Sequence, residues 1–403
     1  MIKKISVIGL GYIGLPTAAL LSKIQSFKVH GTDSSLSRLN ELRRSKINLF
    51  EKSLNILIKK ALKKKKIILE SKITSSDFFI ICVPTPFYFR NNKPKASLNF
   101  INIAVKDILK VLKKGDTIIL ESTVPVGTSQ QIYGRIIKFG FKRGEVNFAY
   151  CPERVLPGDI LNEIINNDRI VGGIDQNSKT IVSKFYKKFT KSNIHVCDAA
   201  TAEMCKLVEN SYRDTNIAFS NEISMICDKH NINPAELIKL ANNHPRVKIL
   251  NPGCGVGGHC IAVDPYFLIE KNTKIAKLIK IARDVNNSKA KWVESKIKKE
   301  IQTFIIKERK KPIIAYLGLG YKANSGDLRE SPALKIAKNL SKKYKILFVD
   351  PYVHFVKDLN IESLDYALKK ANLFFILVNH NCFKKKTVKK ILNKNKVISF
   401  CVE

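Results

Sequence analysis

The glycine-rich loop before Cys260 carries the strongest chemical signal in the sequence. Four glycines fall within the six residues 253–258, and such a bare main chain lets a ligand lie against it. Asp264 lies four residues after the cysteine. A free thiol with a pKa of about 8.5 is only slightly ionised at neutral pH, so a nucleophilic cysteine needs a helix N-terminus or a cation such as Lys206. We interpret Cys260 as the candidate nucleophile and Cys254 as a buried structural cysteine.

A second motif lies near the N-terminus, where residues 9–14 read Gly-Leu-Gly-Tyr-Ile-Gly after a short apolar segment. In a dinucleotide-binding turn the first glycine permits the tight turn, the second lets the pyrophosphate approach the backbone, and the third lets helix and strand pack closely. The helix N-terminus then donates its amides to the phosphates. Asp33 stands where a carboxylate accepts hydrogen bonds from the ribose hydroxyls. The pair predicts a site that prefers NAD to NADP, with nearby Arg38 weakening this preference.

Polar residues follow three predicted strands of the same region. Thr85, Thr123 and the pair Glu153 and Arg154 each stand shortly after an apolar run. Ligands of open α/β sheets bind along the carboxyl edge of the strands, which makes these residues candidates for the site. Ordinary turn residues would look the same at the two threonines, and a local salt bridge would explain Glu153 and Arg154.

Lys206, Asn210 and Arg213 recur at helical spacing and therefore share one face of a predicted long helix. With Glu203 they could form an ion-pair ladder on the protein surface, which is the interpretation that spacing alone favours. The same spacing is also compatible with a catalytic face.

Strand-length and helix-length segments alternate up to about residue 197, and this predicts βαβ units with a parallel sheet. Residues 199–229 contain neither Gly nor Pro and predict one long helix, followed by a helix that opens at Pro234 and another over 275–305. The alternation then resumes. We predict an α/β fold with two Rossmann-like doubly wound parallel-sheet domains joined by a central helical domain. The predicted domains are 1–197, 198–306 and 307–403, and the predicted strands are 4–8, 28–31, 78–83, 117–120, 146–149, 193–197, 312–317, 344–349, 373–378 and 397–400.

The composition narrows the class of protein. The chain has 403 residues, 45% of them hydrophobic, so two or three packed domains are expected. Its nine cysteines show neither C-x-x-C pairs nor metal-ligand spacing, which suits a reducing cytoplasm and predicts no metal site. The formal charge of +37 comes from lysines spread over the whole chain rather than from a basic patch. We therefore predict no nucleic acid partner and, without an apolar run of about 20 residues, no membrane insertion.

Taken together, these segments resemble the nucleotide-sugar 6-dehydrogenases of the UDP-glucose/GDP-mannose dehydrogenase superfamily. The likeness covers essentially the whole chain, and such a set of motifs in this order is highly specific. Two departures are modest: Cys254 stands where a proline is usual, and residues 318–323 differ slightly from the usual Phe-Lys-Pro run. Neither removes a reactive group, so we expect an active enzyme. The segments that carry the likeness are 7–16, 150–158, 201–207, 243–246, 255–265 and 327–333.

The resemblance implies an NAD-dependent enzyme with a UDP-sugar substrate in its C-terminal domain, working as a cytoplasmic homodimer whose long helix needs apolar cover. The sugar C6 hydroxyl would lose a hydride to NAD, Cys260 would add to the aldehyde, a second NAD would take another hydride, and water would hydrolyse the thioester. Lys206 would stabilise the oxyanion, and Glu153 would act as an acid–base group in hydrolysis.

The catalytic residues implied are Cys260, Lys206, Asp264, Asn210, Glu153 and Thr123. The cofactor-binding residues implied are Gly9, Gly11, Tyr12, Ile13, Gly14, Asp33, Arg38, Thr85, Thr123 and Arg329. The substrate-binding residues implied are Arg154, Val155, Lys206, Asn210, Arg213, His244, Arg246, Gly257, Tyr321 and Lys322.

Within this family the likeness is greatest to the members that act on UDP-N-acetyl-D-mannosamine. His259 precedes the cysteine, and Val263 stands where UDP-glucose enzymes usually have a lysine. A 2-acetamido group needs room and a hydrogen-bond partner that a glucose hydroxyl does not, so a site built for it can discriminate strongly. UDP-glucose and UDP-N-acetylglucosamine are the alternative substrates. A lysine-rich nucleic-acid-binding protein is the alternative of another class.

Overall fold

The computed structural model describes residues 2–47, 51–91, 93–155 and 159–401. The chain folds as two compact units. The first unit comprises Met1–Glu209 and Tyr266–Lys271, and the second comprises Asn210–Pro265 and Asn272–Glu403.

The first unit is built on an eight-stranded sheet. The strands of this unit are β1 (Lys3–Ile8), β2 (Phe27–Thr32), β3 (Ile67–Glu70), β4 (Phe78–Ile81), β5 (Phe87–Arg90), β6 (Lys93–Ala96), β7 (Thr117–Leu120), β8 (Asn147–Tyr150), β9 (Arg169–Gly173) and β10 (Ile194–Asp198), of which β5 and β6 form a separate hairpin. The order in the sheet is β10-β9-β8-β7-β4-β1-β2-β3, so the strand order reverses between β1 and β4. All neighbours are parallel except β8 and β9, which are antiparallel.

Helices cover both faces of this sheet. Along β4, Ile80 packs with Val7 in one apolar cluster, whereas Phe79 and Ile81 pack with Ile8 in the other. A parallel strand buried on both faces reads as a continuous apolar run, as β4 does. The helices are α1 (Gly14–Leu21), α2 (Leu36–Arg43), α3 (Lys52–Lys63), α4 (Asn99–Leu109), α5 (Thr128–Lys138), α6 (Ile160–Asn166) and α7 (Gln176–Tyr186).

Two helices contain residues of both units. One is α8 (Ala199–Lys229), which has 31 residues and confirms the predicted long helix. The other is α10 (Asp264–Lys271), which starts four residues after Cys260; the short helix α9 (Pro234–Ala241) lies between them in sequence.

The second unit contains a four-stranded parallel sheet in the order β12-β11-β13-β14. Its strands are β11 (Ile314–Leu317), β12 (Ile346–Val349), β13 (Leu373–Ile376) and β14 (Lys396–Ser399), and its other helices are α11 (Lys277–Glu308), α12 (Pro332–Ser341), α13 (Leu364–Lys370) and α14 (Lys386–Leu392). Val293, Ile297 and Ile301 of α11 recur every fourth residue and join the apolar cluster of Ile314 and Tyr316.

The structure confirms the α/β class, with a mainly parallel sheet in the first unit and a parallel sheet in the second. The sequence pattern did not indicate β3, the β5–β6 hairpin, β9 or α10. The antiparallel pairing of β8 with β9 departs from the predicted parallel sheet, because a run as short as Ile-Val between Arg169 and two glycines shows neither periodicity nor direction. The three predicted domains remain a prediction. Among the helices of the described residues, none is long and apolar enough to cross a membrane.

Lys289 of α11 is a charged residue in the interior of the second unit. It is 2% exposed, its Nζ donates to Ser224 Oγ at 2.7 Å, and the ammonium lies 4.0 Å from the centre of the Trp292 ring. Burial lowers the pKa of Lys289 to about 8. The charged form therefore destabilises the fold, because a buried ammonium loses its hydration.

We expect the wild-type chain to gain stability relative to the Lys289→Met variant as the pH rises above about 8. The folded-state pKa lies below the unfolded value of about 10.4, so the unfolded chain binds more protons between these values and stability rises by roughly 1 kcal/mol per pH unit from this group. Urea unfolding at several pH values measures the difference. Lys291→Met, on the exposed face of the same helix, should show no such trend, and a constant difference for Lys289→Met contradicts the expectation.

Candidate active site

The turn after β1 has the backbone that the glycine motif requires. Gly9 has a φ of +90°, and a Cβ there would lie 2.8 Å from the carbonyl oxygen of Cys82. A Cβ at Gly14 would lie 1.9 Å from the carbonyl oxygen of Gly9, whereas one at Gly11 would meet no atom within 4 Å. The first and third glycines thus serve packing, and the second leaves open space beside the backbone, as a bound pyrophosphate needs.

Asp33 ties this turn to the end of β2. Its Oδ2 accepts a hydrogen bond from the Leu10 amide and its Oδ1 one from the Ser35 amide, both at 2.9 Å. Arg38 lies beside the same turn, with its Nε donating to the Leu10 carbonyl at 3.3 Å and its guanidinium 3.6 Å from Glu41. The structure therefore brings the predicted acid and the predicted competing cation together.

The predicted cofactor residues follow strands that run parallel. The glycine turn follows β1, Thr85 follows β4 and Thr123 follows β7. The reversal of strand order between β1 and β4 is the place where open α/β sheets bind ligands. Ser122 Oγ joins two of these loops by donating to the Val83 carbonyl at 2.7 Å. Thr85 is buried, and Tyr12, Ile13 and Thr123 are half-buried.

Glu153 lies in a buried ion pair that sequence reasoning missed. Its Oε2 is 2.8 Å from Nη2 of Arg169, and its Oε1 accepts a hydrogen bond from the Arg154 amide at 2.8 Å. The side chain of Arg154 has other partners, since its Nη2 lies 2.7 Å from Glu209 and its Nη1 donates to the Asp168 carbonyl at 3.1 Å. A salt bridge between the side chains of Glu153 and Arg154 is therefore the wrong interpretation of this segment. Val155, the last described residue before the gap in this loop, is half-buried.

A polar cluster lies next to this pair. The guanidinium carbon of Arg169 is 4.6 Å from the centre of the Tyr186 ring, and the Tyr186 hydroxyl donates to Glu121 Oε1 at 2.5 Å. Cys82 Sγ donates to Glu121 Oε2 at 3.2 Å. Burial raises the pKa of Glu121, and burial raises that of Cys82 well above its usual range. The signal available in the sequence was a glutamate directly after the apolar strand β7.

The predicted surface ladder on α8 is wrong, because the face that carries it is buried. Lys206 is 9% exposed and Asn210 is 8% exposed, whereas Arg213 is exposed. Glu203 is fully buried, and its carboxylate accepts two backbone amides at the start of α5, at 2.6 and 2.7 Å. A catalytic role for this face remains a prediction, and Glu203 belongs to the cap of α5.

Cys260 lies at an exposed position in the second unit, and all other cysteines of the chain are buried or half-buried. Its carbonyl accepts a hydrogen bond from the Asp264 amide at 2.8 Å, in the turn that leads into α10. Asp264 is 3% exposed, and its Oδ2 accepts from Asn210 Nδ2 at 2.5 Å. Burial raises the pKa of Cys254 to about 12, in line with a structural role.

The glycine loop packs against protein atoms of the second unit. A Cβ at Gly257 would lie 2.6 Å from Tyr321 Cβ, and one at Gly258 would lie 2.9 Å from the Tyr321 ring. The Gly258 amide donates to the Arg329 carbonyl at 2.9 Å. The bare backbone here is therefore required for the approach of Tyr321, and the ligand-binding role of Gly257 remains a prediction.

Several predicted ligand residues of the second unit are exposed, namely His244, Arg246, Lys322 and Arg329. Asp327 holds Arg329, whose Nε lies 2.9 and 3.0 Å from the two carboxylate oxygens. The Arg246 amide donates to His244 Nδ1 at 3.3 Å. Arginine and lysine side chains suit recognition of a diphosphate, because charge-assisted hydrogen bonds to phosphate oxygens are strong.

The described residues contain no group of three or more His, Cys, Asp or Glu side chains that could hold a metal ion. The first unit does fit a dinucleotide: the backbone at Gly11 is open, a helix starts at Gly14, and Asp33 is only half-buried at the end of β2. Fold and site together define an NAD-dependent dehydrogenase.

Family models match the chain over three consecutive segments. They describe the UDP-glucose/GDP-mannose dehydrogenase family: its NAD binding domain at residues 3–190, its central domain at 200–288 and its UDP binding domain at 315–401. The chain belongs to this family, and NAD is its cofactor.

Relatives of known name extend this result. The chain is 44% identical over 416 residues to a UDP-N-acetyl-D-mannosamine dehydrogenase of Campylobacter jejuni, covering 99% of each chain. It is 44% identical to one of Methanocaldococcus jannaschii, covering 98% of this chain and 91% of the relative. A solved UDP-D-ManNAc dehydrogenase from Pyrococcus horikoshii is similar with a TM-score of 0.88 and 34% identity, covering 99% of this chain and 95% of that one.

We expect Asp33→Ser to weaken the use of NAD and to relax discrimination against NADP. The variant loses a charged acceptor worth roughly 1.5–3 kcal/mol, or about 10- to 100-fold in kcat/KM for NAD. Arg38 then faces a 2′-phosphate without an opposing acid. Kinetics with both cofactors measure the ratio, and adding Arg38→Ala to the variant should remove the gain with NADP. An unchanged ratio in Asp33→Ser contradicts the role of this acid.

Proposed function

We propose that the chain oxidises the C6 hydroxyl of UDP-N-acetyl-D-mannosamine to a carboxylate in two NAD-dependent steps. The observation that carries the proposal is the exposed Cys260 at the end of the glycine loop, in a chain 44% identical to dehydrogenases named for that sugar. A thiol that adds to the aldehyde keeps the intermediate on the protein, so the second oxidation can occur without release.

In this reaction NAD, when bound, supplies the hydride acceptor. Cys260 adds to the C6 aldehyde as a thiolate and forms a thiohemiacetal, and loss of the second hydride leaves a thioester. Water then attacks the thioester carbonyl carbon while Glu153 takes its proton. The C–S bond breaks, Cys260 leaves as a thiolate, and the uronate is released.

Lys206 is assigned to the negative charge that develops on the C6 oxygen. Its burial supports this role, since a poorly hydrated ammonium stabilises a nearby oxyanion more strongly than a solvated one. Asn210 and Asp264 hold each other by a hydrogen bond, which fixes both side chains for ordering a water molecule or the lysine.

The ligand contacts follow from the family resemblance together with the exposed cations of the site. We assign NAD to Gly9, Gly11, Tyr12, Ile13, Gly14, Asp33, Arg38, Thr85, Thr123 and Arg329. We assign the nucleotide sugar to Arg154, Val155, Lys206, Asn210, Arg213, His244, Arg246, Gly257, Tyr321 and Lys322.

Relatives named for another 2-acetamido sugar support a second candidate substrate. A relative from Ralstonia nicotianae, named NDP-N-acetyl-D-galactosaminuronic acid dehydrogenase, is 41% identical and covers 95% of this chain and 92% of its own length. Both sugars carry a 2-acetamido group, so a site built for that group accommodates either until the remaining ring hydroxyls are read.

We expect UDP-N-acetyl-D-mannosamine to give the highest kcat/KM in a panel with UDP-N-acetylglucosamine, UDP-N-acetylgalactosamine and UDP-glucose. Each sugar oxidised should yield two NADH with no free aldehyde, because the intermediate stays bound to Cys260. NADH absorbance together with mass spectrometry of the nucleotide sugars measures both quantities.

Cys260→Ala is the control for the chemistry, with Cys205→Ala as the matched variant of a half-buried cysteine. The first should abolish uronate formation, whereas the second should leave it unchanged. Preference for another sugar in the panel changes the substrate while leaving the chemistry intact. Uronate production by Cys260→Ala above a tenth of the wild-type rate would remove the thiol from the mechanism.

We further propose a homodimer formed through α8. Met204, Val208, Tyr212, Phe219 and Ile226 are each 40% to 65% exposed. At about 100° per residue they lie within roughly 80° of one another, so they form one apolar stripe along the helix. An exposed apolar stripe of this length is typical of a protein–protein interface. A second copy of the same helix supplies a self-complementary surface for it.

We expect a mass near twice 45.6 kDa in solution, as measured by light scattering at micromolar concentration. The double variant Phe219→Asp, Ile226→Asp should shift the mass to that of one chain, because two carboxylates would be buried in the interface. Phe139→Asp, which changes an exposed aromatic residue at the end of α5, is the matched control. A monomeric wild-type chain would contradict the proposal.

A further inference from the structure

Arg169 is a buried cation that neither the glycine motif nor the cysteine loop explains. It is 4% exposed, with Nη2 at 2.8 Å from Glu153 Oε2 and Nη1 at 3.7 Å from Cys151 Sγ. Its guanidinium also lies over the Tyr186 ring. Two apolar residues of similar volume would often hold such a place at no cost in stability, so stability alone does not account for the pair.

The antiparallel pairing of β8 with β9 brings Glu153 and Arg169 together. The register of β8 with β9 places Tyr150 opposite Gly172. The same register, continued beyond the end of β8, brings Glu153 opposite Arg169. A β9 parallel to β8 would begin at the other edge of the sheet, far from the loop that carries Glu153.

The other groups that face Arg169 leave Glu153 as its carboxylate partner. Burial raises the pKa of Cys151 to about 12 and that of Tyr186 well above its usual range, so both are neutral at pH 7. Glu121, which accepts from the Tyr186 hydroxyl and from Cys82, has its pKa raised by burial and binds a proton more readily than an exposed glutamate.

Both oxygens of Glu153 are held from the protein side. Arg169 contacts Oε2, and the Arg154 amide donates to Oε1. A carboxylate that is fixed in direction is suited to act as a general base that must take a proton from one water molecule.

We propose that Arg169 is a positioning residue for thioester hydrolysis, which holds the Glu153 carboxylate in place for the attacking water. The inference rests on the proposed function, in which Glu153 accepts that proton. The proposal assigns Arg169 to the hydrolysis of the thioester alone, with no part in either hydride transfer.

The test compares wild type with Arg169→Met and Arg169→Lys, using the UDP-sugar that wild type oxidises fastest. We expect Arg169→Met to form the thioester and to hydrolyse it about 10²-fold more slowly, since a misplaced base costs this much. Intact-protein mass spectrometry should then show a sugar adduct that Cys260→Ala abolishes. A buried carboxylate without its cation protonates at higher pH, so the acid-side midpoint of turnover should rise by roughly 1–3 pH units. Arg169→Lys should lie between the two proteins.

Arg283→Met is the matched control, because Arg283 forms an equally buried pair with Asp214 at 2.5 Å in the second unit. It should lower thermal stability without an adduct and without a shift in the pH midpoint. The inference is overturned if the Arg169 variants resemble this control, that is, if both hydride transfers fall together while the pH midpoint stays in place. If Arg169→Met does not fold, Arg169→Lys decides by the same adduct and pH criteria. Absence of NADH from wild type with every UDP-sugar would overturn the proposed function itself and the inference with it.

Discussion

Neighbouring strands of a parallel sheet end at the same edge, and the candidate site of the first unit depends on this constraint. Because β1, β4, β7 and β8 are parallel, their loops meet although they lie far apart in sequence. The glycine turn, Thr85, Thr123 and Glu153 are all products of that geometry. The polar contacts then hold these loops in place, as Ser122 does by binding the Val83 carbonyl.

The single reversal of direction in the sheet, between β8 and β9, changes which end of a strand lies at the functional edge. At β9 the chain runs back along β8, so the first residue of the new strand, rather than the last, lies at the functional edge. The arginine at that position is buried next to Glu153. This ion pair lowers the large free-energy cost of burying either charge alone. The direction of one strand thus determines which residue can pair with the proposed base.

The sequence predicted those features that repeat or that stand beside a diagnostic motif. The long helix over residues 199–229 and the strands of both sheets except β3 and β9 follow from composition and periodicity, and the glycine motif with Asp33 follows from spacing. Side-chain partners did not follow. Spacing placed Glu203 with Lys206 on a surface ladder, yet Glu203 caps α5, because i, i+3 neighbours share a face without sharing an environment. The partnership of Glu153 with Arg169 depends on strand direction, which no local pattern encodes.

The two glycine turns of the chain share a backbone but differ in their surroundings, so such a motif alone is insufficient evidence of a binding site. Gly9 and Gly318 have φ values of +90° and +92°, and the following leucine amide donates to an aspartate at the end of the next strand in both units, Asp33 at 2.9 Å and Asp350 at 2.8 Å. The difference lies in what surrounds the carboxylate. Asp33 is half-buried and a helix starts at Gly14, whereas the Asp350 side chain is fully buried, with His380 Nε2 at 3.3 Å, and α12 starts only at Pro332. A ribose needs an accessible acceptor and a pyrophosphate needs a helix N-terminus, so the turn of the first unit fits a dinucleotide and the similar turn of the second unit does not.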